Sequence, residues 1–193
     1  PIFAKPSSWK KFFLNEAVKY INEKLEFFEI ERTTEVSIDK KSISGVDGHV
    51  QSFVLGAMKL KPPLRYYWEV QVTSYSSSHL TAIGISPHVS PHSNVIGCDN
   101  NYSFFYGDCY GLTYGSLYRG RKTKFGRPIQ TGDTIGILVD LKAMKLTVFI
   151  NGENLGVAFE QLEEQQYCPA FSIQGNMKIT IAPKPTPSMR ELM

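Results

Sequence analysis

Thr131 to Phe159 reads TGDTIGILVDLKAMKLTVFINGENLGVAF, and the spacing of its apolar residues decides the fold class. Three sets alternate with a period of two: Ile135, Ile137 and Val139, then Leu146, Val148 and Ile150, then Leu155, Val157 and Phe159. That is the period of a strand with one buried face, not of a helix. Asn151-Gly152 lies between the second and third sets, where a two-residue turn needs positive φ at both central positions, and Asn-Gly tolerates this best. A tight hairpin is predicted there. Asp140 to Met144 predicts a looser hairpin between the first two sets, so the stretch becomes a three-stranded antiparallel meander. Leu138 and Phe149 break the alternation, which implies strands covered on both faces.

On either side of this meander, short strands are punctuated by Gly45, Asp47-Gly48, Pro62-Pro63, Pro87, Pro91, Gly97, Gly107, Gly126 and Gly175. About a dozen strands are predicted, enough for two packed antiparallel sheets. In Tyr66 to Thr73, Trp68, Val70 and Val72 take one face, and Tyr67, Glu69, Gln71 and Thr73 the other. Met177, Ile179 and Ile181 alternate in the same way with Lys178 and Thr180. Residues 31–182 are thus expected to form an all-β, two-sheet antiparallel β-sandwich. Pro183, Pro185 and Pro187 then forbid a central strand, which makes 183–193 a tail. At the other end, Trp9, Phe13, Ala17, Tyr20, Ile21, Leu25 and Phe28 recur at three- and four-residue spacing behind Ser7 or Ser8 as a cap. An N-terminal amphipathic helix is predicted over residues 1–30, packed in cis on the sandwich or mediating dimerisation.

Four motifs in order carry a family resemblance. Gly132-Asp133 with Ile135-Gly136, followed by Phe149-Ile150-Asn151-Gly152-Glu153 and Leu155 to Phe159, resembles the signature half of a SPRY domain. Tyr66 to Val70 resembles that family's Y-x-W-E-V strand, Ala82 to Ile85 its G-x-A strand, and Tyr167 to Phe171 its Y-P-A-F strand. The likeness covers about residues 36 to 182. It implies a concanavalin-like jelly roll that serves as a protein-interaction module, used in tripartite-motif and other ubiquitin ligases to select substrate and also found in adaptors.

The totals fit this reading. A chain of 193 residues with 42% hydrophobic and 20% charged residues can bury one substantial core. No run approaches the ~20 apolar residues of a membrane helix, so no membrane partner is expected. Three cysteines, Cys98, Cys109 and Cys168, are too few and too scattered for a disulfide framework, which suggests a reducing compartment. A cytoplasmic location is the expectation, with the nucleus as alternative. Because Pro1 is not an initiator methionine, the chain reads as an excised fragment.

No catalytic or metal constellation emerges, and no enzyme activity or cofactor is expected. His88 and His92 are four apart, but Pro87 and Pro91 oppose the helix that would aim both at one zinc ion. The cysteines lack C-x-x-C spacing, and Gly107, Gly111 and Gly115 do not match a phosphate-cradling loop. Glu153, Glu160, Glu163 and Glu164 show no pairing across a cleft of the kind a glycosidase needs.

Two stretches point to binding instead. Tyr106, Tyr110, Tyr114 and Tyr118 recur every four residues, with Gly after the first three, and would share one face of a single extended strand. They either fill the sandwich or form a tyrosine-lined binding surface. Arg119, Arg121, Lys122, Lys124 and Arg127 then place five cations in nine residues with no acid between them. This is either a solvated loop or a basic rim steering an acidic partner. Nucleic acid is not expected, because no groove-reading helix or RNA-binding motif accompanies it.

Mapping the family's binding loops onto this chain gives Val46 to Val50, Ser74 to His79, Ser86 to Asn94 and Arg119 to Gly126. The candidate partner contacts are Asp47, His49, Tyr75, His79, His88, Tyr106, Tyr110, Tyr118, Arg119, Arg121, Lys122 and Lys124. Phe104-Phe105-Tyr106 stands where many family members carry a tryptophan-glycine pair. The expected partner is a short peptide or loop of another protein, acidic if the basic run takes part. A carbohydrate-binding sandwich of lectin type is the alternative.

Overall fold

Asn151 and Gly152 do adopt positive φ, 54° and 79°, and the chain reverses between them. In the computed structural model, residues 18–29, 36–45, 51–74, 82–87, 110–113, 116–118, 122–163 and 166–184 are described. They form β1 (Lys19–Tyr20), β2 (Phe27–Glu29), β3 (Val36–Asp39), β4 (Ser42–Gly45), β5 (Gln51–Gly56), β6 (Arg65–Ser74), β7 (Ala82–Pro87) and β8 (Tyr110–Thr113). There follow β9 (Ser116–Tyr118), β10 (Lys122–Lys124), β11 (Thr134–Asp140), β12 (Lys145–Ile150), β13 (Glu153–Glu160), β14 (Tyr167–Gln174) and β15 (Lys178–Ile181).

One sheet runs β13-β12-β11-β6-β15-β4-β3, with β1 beside β6, and the other runs β10-β9-β8-β7-β14-β5-β2. Among the described residues every strand pairing is antiparallel except β1 with β6. The all-β sandwich read from the sequence is therefore what the described residues build.

The meander has the expected register. Ile135 sits opposite Ile150, Ile137 opposite Val148, and Val139 opposite Leu146, and all six side chains are buried between the sheets. They meet Trp68, Val70, Val72, Ile43, Ile179 and Ile181 of their own sheet and Val54, Ile83, Ile85, Tyr167, Phe171 and Ile173 of the other. At roughly 1.5–3 kcal/mol per fully buried large apolar side chain, this core supplies the main driving force for folding.

Leu138 and Phe149, the two residues out of pattern, face away from that core. They pack with Tyr67, Tyr20 and Val18 in a smaller cluster on the outer side of β6, β11 and β12. Tyr67 meets Phe149 edge to face at 5.6 Å and donates its hydroxyl proton to Glu69 Oε1 at 2.6 Å. Burial and the neighbouring Glu69 push the Tyr67 hydroxyl pKa well above its ordinary value, so it stays a donor.

Two expectations need correction. The third apolar set does not keep one face, because two register shifts between β12 and β13 and Gly156 at φ 99° turn Val157 outward, 43% exposed. Bulges of this kind twist an edge strand away from further pairing. The N-terminal helix is not found over Val18 to Glu29, whereas Trp9 to Ala17 lie outside the described residues. Instead, β1 extends one sheet, β2 edges the other, and a single turn between them uses the helix-like spacing of Ile21 and Leu25, whose N–H donates to Ile21 O at 2.8 Å. Lys41 Nζ closes this turn by donating to the carbonyls of Asn22, Glu23 and Leu25 at 3.0, 3.0 and 2.5 Å. Strand pairing wins because both sheets offer unpaired backbone along β6 and β5, and a helix would leave it unmet.

Candidate functional site

The strands that carry the candidate residues leave the sandwich at opposite ends. At the end holding the Asn151-Gly152 turn lie Gly45, Ser74, Ala82, Thr113, Ser116, Lys124, Thr134 and the Gly175-Asn176 turn. Gly45 N–H donates to Met177 O at 2.8 Å, Ser74 Oγ to Asn176 O at 3.0 Å, and Asn151 N–H to Thr134 O at 2.8 Å. The flanks of Asp47, His49, Tyr75 and His79 are anchored here. At the end holding Pro62-Pro63 lie Pro87, Tyr110, Tyr118, Lys122 and Tyr167. Tyr167 pairs with both Pro87 and Leu60, and Tyr110 with Ile85. The flanks of His88, Tyr106, Arg119 and Arg121 are anchored here, and those eight loop residues themselves lie outside the described set.

The tyrosine repeat is not one strand. β8 ends at Thr113 and β9 begins at Ser116, so Tyr110 and Tyr118 lie on neighbouring antiparallel strands. Residue numbers in paired positions sum to an odd value, as in Gly111 with Tyr118 and Leu112 with Leu117, and two even-numbered residues therefore fall on opposite faces. Tyr110 holds a core-face register position opposite the buried Ile85, while Tyr118 is aligned through Gly111 with Gly84 in the outward row. Lys122 sits directly opposite Tyr118, and Lys124 opposite Ser116, in that same row. Lys124 is exposed. The single shared face is thus corrected for the two described tyrosines: Tyr118 alone of this pair takes an outward register position, beside Lys122 and Lys124 of the edge strand, whereas Tyr106 and Tyr114 lie outside the described residues.

The segment between β10 and β11 is fixed by an acid that the sequence did not single out. Asp133 is buried and takes both prongs of the Arg127 guanidinium at 2.7 Å, the Gln130 N–H at 2.8 Å and Asn151 Nδ2 at 2.8 Å. Asn151 Oδ1 in turn accepts the Thr134 N–H at 2.8 Å. Burial works to raise the Asp133 pKa, but the donors from Arg127, Gln130 and Asn151 outweigh it and hold the carboxyl below its ordinary range. Arg127, read as a member of the basic run, is held in this pair and its own pKa is raised by Asp133. The signal available in the sequence was Gly132-Asp133 ahead of a strand; the arginine six residues upstream gave none.

Other described acids have structural work. Asp140 takes Arg65 Nε at 2.6 Å and caps the β11–β12 turn by accepting the N–H groups of Lys142 and Ala143. Cys168 is buried and its thiol is pushed up to about 11, which keeps it protonated and unreactive. Cys98, Cys109 and the His88–His92 pair lie outside the described residues. Among the described residues, no three His, Cys, Asp or Glu side chains are grouped to hold a metal. No helix among them is long and apolar enough to cross a membrane.

Comparison with known proteins agrees with the geometry. The family model described as SPRY domain matches residues 65–185. Among curated proteins, Ran-binding protein 10 of Danio rerio is 31% identical over 109 residues, 56% of this chain and 17% of that protein. Ran-binding protein 9 of Mus musculus is 30% identical over 109 residues, 56% of this chain and 16% of its own length. The chain therefore aligns with less than a fifth of these relatives. Among solved structures, the TRIM65 PSpry domain superposes with a TM-score of 0.64 at 16% identity, covering 95% of this chain and 100% of its own. The SPRY domain of human HERC1 superposes with a TM-score of 0.60 at 18% identity, covering 76% and 91%.

Proposed function

Because this chain belongs to the SPRY domain family, a family of protein-interaction modules, we propose that it is a non-catalytic recognition domain holding a short peptide or loop of a partner protein. The observation that carries this reading is the family match over residues 65–185. It is supported by a rigid sandwich whose described acids Asp133 and Asp140 are engaged in holding loops and turns. Loops on such a scaffold are where binding specificity resides.

A strand of six residues such as β7 spans roughly 20 Å, so a peptide that engages both ends must run extended along the strands, and one that folds against a loop rim stays at one end. The main contacts are assigned to the Pro62 end and the adjoining outward face: His88, Tyr106, Tyr118, Arg119, Arg121, Lys122 and Lys124, with Tyr110 behind them at its core-face register position. Asp47, His49, Tyr75 and His79 form a second rim at the Asn151 end, available to a larger partner. The cations favour an acidic ligand by steering its approach. Within a longer protein, the domain would select the substrate of a ubiquitin ligase or the client of an adaptor, in the cytoplasm or the nucleus. The strands β1 and β2 favour cis packing of the N-terminal segment over dimerisation.

Affinity capture from cell extract with the domain, read by mass spectrometry, tests this. A reproducible protein partner is expected, and Tyr118→Ala should weaken its capture about tenfold with an unchanged circular dichroism spectrum. Failure of the domain to enrich any protein would overturn the reading, and loss of the folded spectrum would return Tyr118 to the core.

A further inference from the structure

Each sheet order ends in strands whose outer backbone groups meet no further strand among the described residues, β13 and β3 in one and β10 and β2 in the other; β1, two residues beside β6 and off that order, is a further one-sided strand, with Lys19 and no acid. Such edges are templates for an incoming strand, and charge on them decides what can pair. Three of the four carry a carboxylate: Glu153 and Glu160 on β13, Asp39 on β3 and Glu29 on β2. The fourth, β10, reads Lys122-Thr123-Lys124 and carries cations alone. It is also unlike β13 in lacking a bulge, since its three residues pair in unbroken register with Tyr118, Leu117 and Ser116.

We infer that β10 is a docking edge for an acidic, extended segment of the partner, which joins the sheet as an additional strand. This rests on the recognition role proposed above and names the chemistry of what is recognised. Lysines on an edge ordinarily repel a second copy of the same strand, which protects the protein from self-association. The same charges attract a strand of opposite sign. Main-chain hydrogen bonds then supply affinity, and side chains at alternate positions supply specificity. Lys122 and Lys124 share one face of the strand with Tyr118 opposite Lys122, so the recognised pattern is acid-x-acid, with a period of two. Acids spaced three apart would put one of the pair on the wrong face.

The test uses the folded domain and synthetic peptides. One peptide alternates glutamate with threonine, a second has the same composition with all glutamates in a block, and a third is the alternating peptide with N-methylated backbone. The alternating peptide is expected to bind, to slow hydrogen exchange of the β10 amides that do not bond to β9, and to give cross-strand nuclear Overhauser contacts to Lys122–Lys124. The N-methylated peptide should bind at least about tenfold more weakly, because it cannot join the ladder. Lys122→Glu with Lys124→Glu should weaken the alternating peptide by about tenfold. Equal binding by the N-methylated or block peptide would reduce the edge to a diffuse charge and overturn the inference. So would tighter binding of oligothymidylate to the same lysines, which would make it a nucleic-acid surface. Partner capture that survives the double substitution sinks strand addition alone, whereas a domain that captures no protein sinks the recognition role itself.

Discussion

At Gly136 a single hydrogen atom separates a working packing arrangement from an impossible one. A Cβ built there would overlap the Tyr67 hydroxyl, which is buried and committed to Glu69. Gly136→Ala is expected to lower stability by roughly 1–3 kcal/mol in urea unfolding, the usual cost of overpacking. An unchanged midpoint would show that Tyr67 can move aside. Asp133 gives a pH signature. Its folded pKa is depressed, so it stabilises the fold fully above the ordinary carboxylate value of about 4, and that contribution is lost as pH falls through the folded value. The stability difference between wild type and Asp133→Asn should therefore be flat at neutral pH and shrink in acid. A difference that grows on acidification would contradict the assignment. Arg127 is 42% exposed at its side chain, so the solvent-screened pair itself is worth at most about 1 kcal/mol.

Among the strands, period two was a reliable guide wherever one face is dry, as in β6, β11 and β12. It failed at β13 because a bulge changes parity without leaving any mark in the apolar pattern. It failed in the tyrosine repeat because the hairpin between Thr113 and Ser116 inverts which face an even number occupies. The N-terminal segment misled for another reason: Ile21 and Leu25 have helical spacing, yet one turn suffices to bury both, and the strands on either side answer to backbone elsewhere in the chain. Asn22 shows this dependence. It is buried at 2% exposure, donates Nδ2 to Glu69 O and Ala182 O at 2.7 Å, and accepts the Glu69 N–H at 2.9 Å. Its amide fills the gap in the ladder where β1 and β15 meet along β6. Asn22→Ala should cost about 1–3 kcal/mol by removing three buried hydrogen bonds, the one to the Glu69 N–H among them. Calorimetry showing no shift in melting temperature would mean that water replaces the amide.

For the sandwich in its entirety, local chemistry in the sequence indicated the two sheets and several turns, but it could not indicate which loops share an end. That depends on strand order, which in turn depends on pairings such as β6 with β15 and β14 with β7, between residues about a hundred positions apart. Four loops that look equivalent along the chain divide into two pairs of anchors, and the basic run loses Arg127 to a buried acid. If the Pro62 end carries the main contacts, then Tyr118→Ala and Lys122→Glu should affect the same partner, and their joint effect should differ from the sum of the two. Strict additivity in a double-mutant cycle would place them in separate contacts.

Asn22 also joins regions far apart in sequence, since the carbonyl it bonds at Ala182 is 160 residues away. The segments that follow the first described strand and the last one are neighbours, tied by one side chain. A unit with such a doorway can be spliced into a surface loop of a host protein without prying the host open. Its first and last described strands, β1 and β15, could likewise be linked directly and a new opening cut elsewhere.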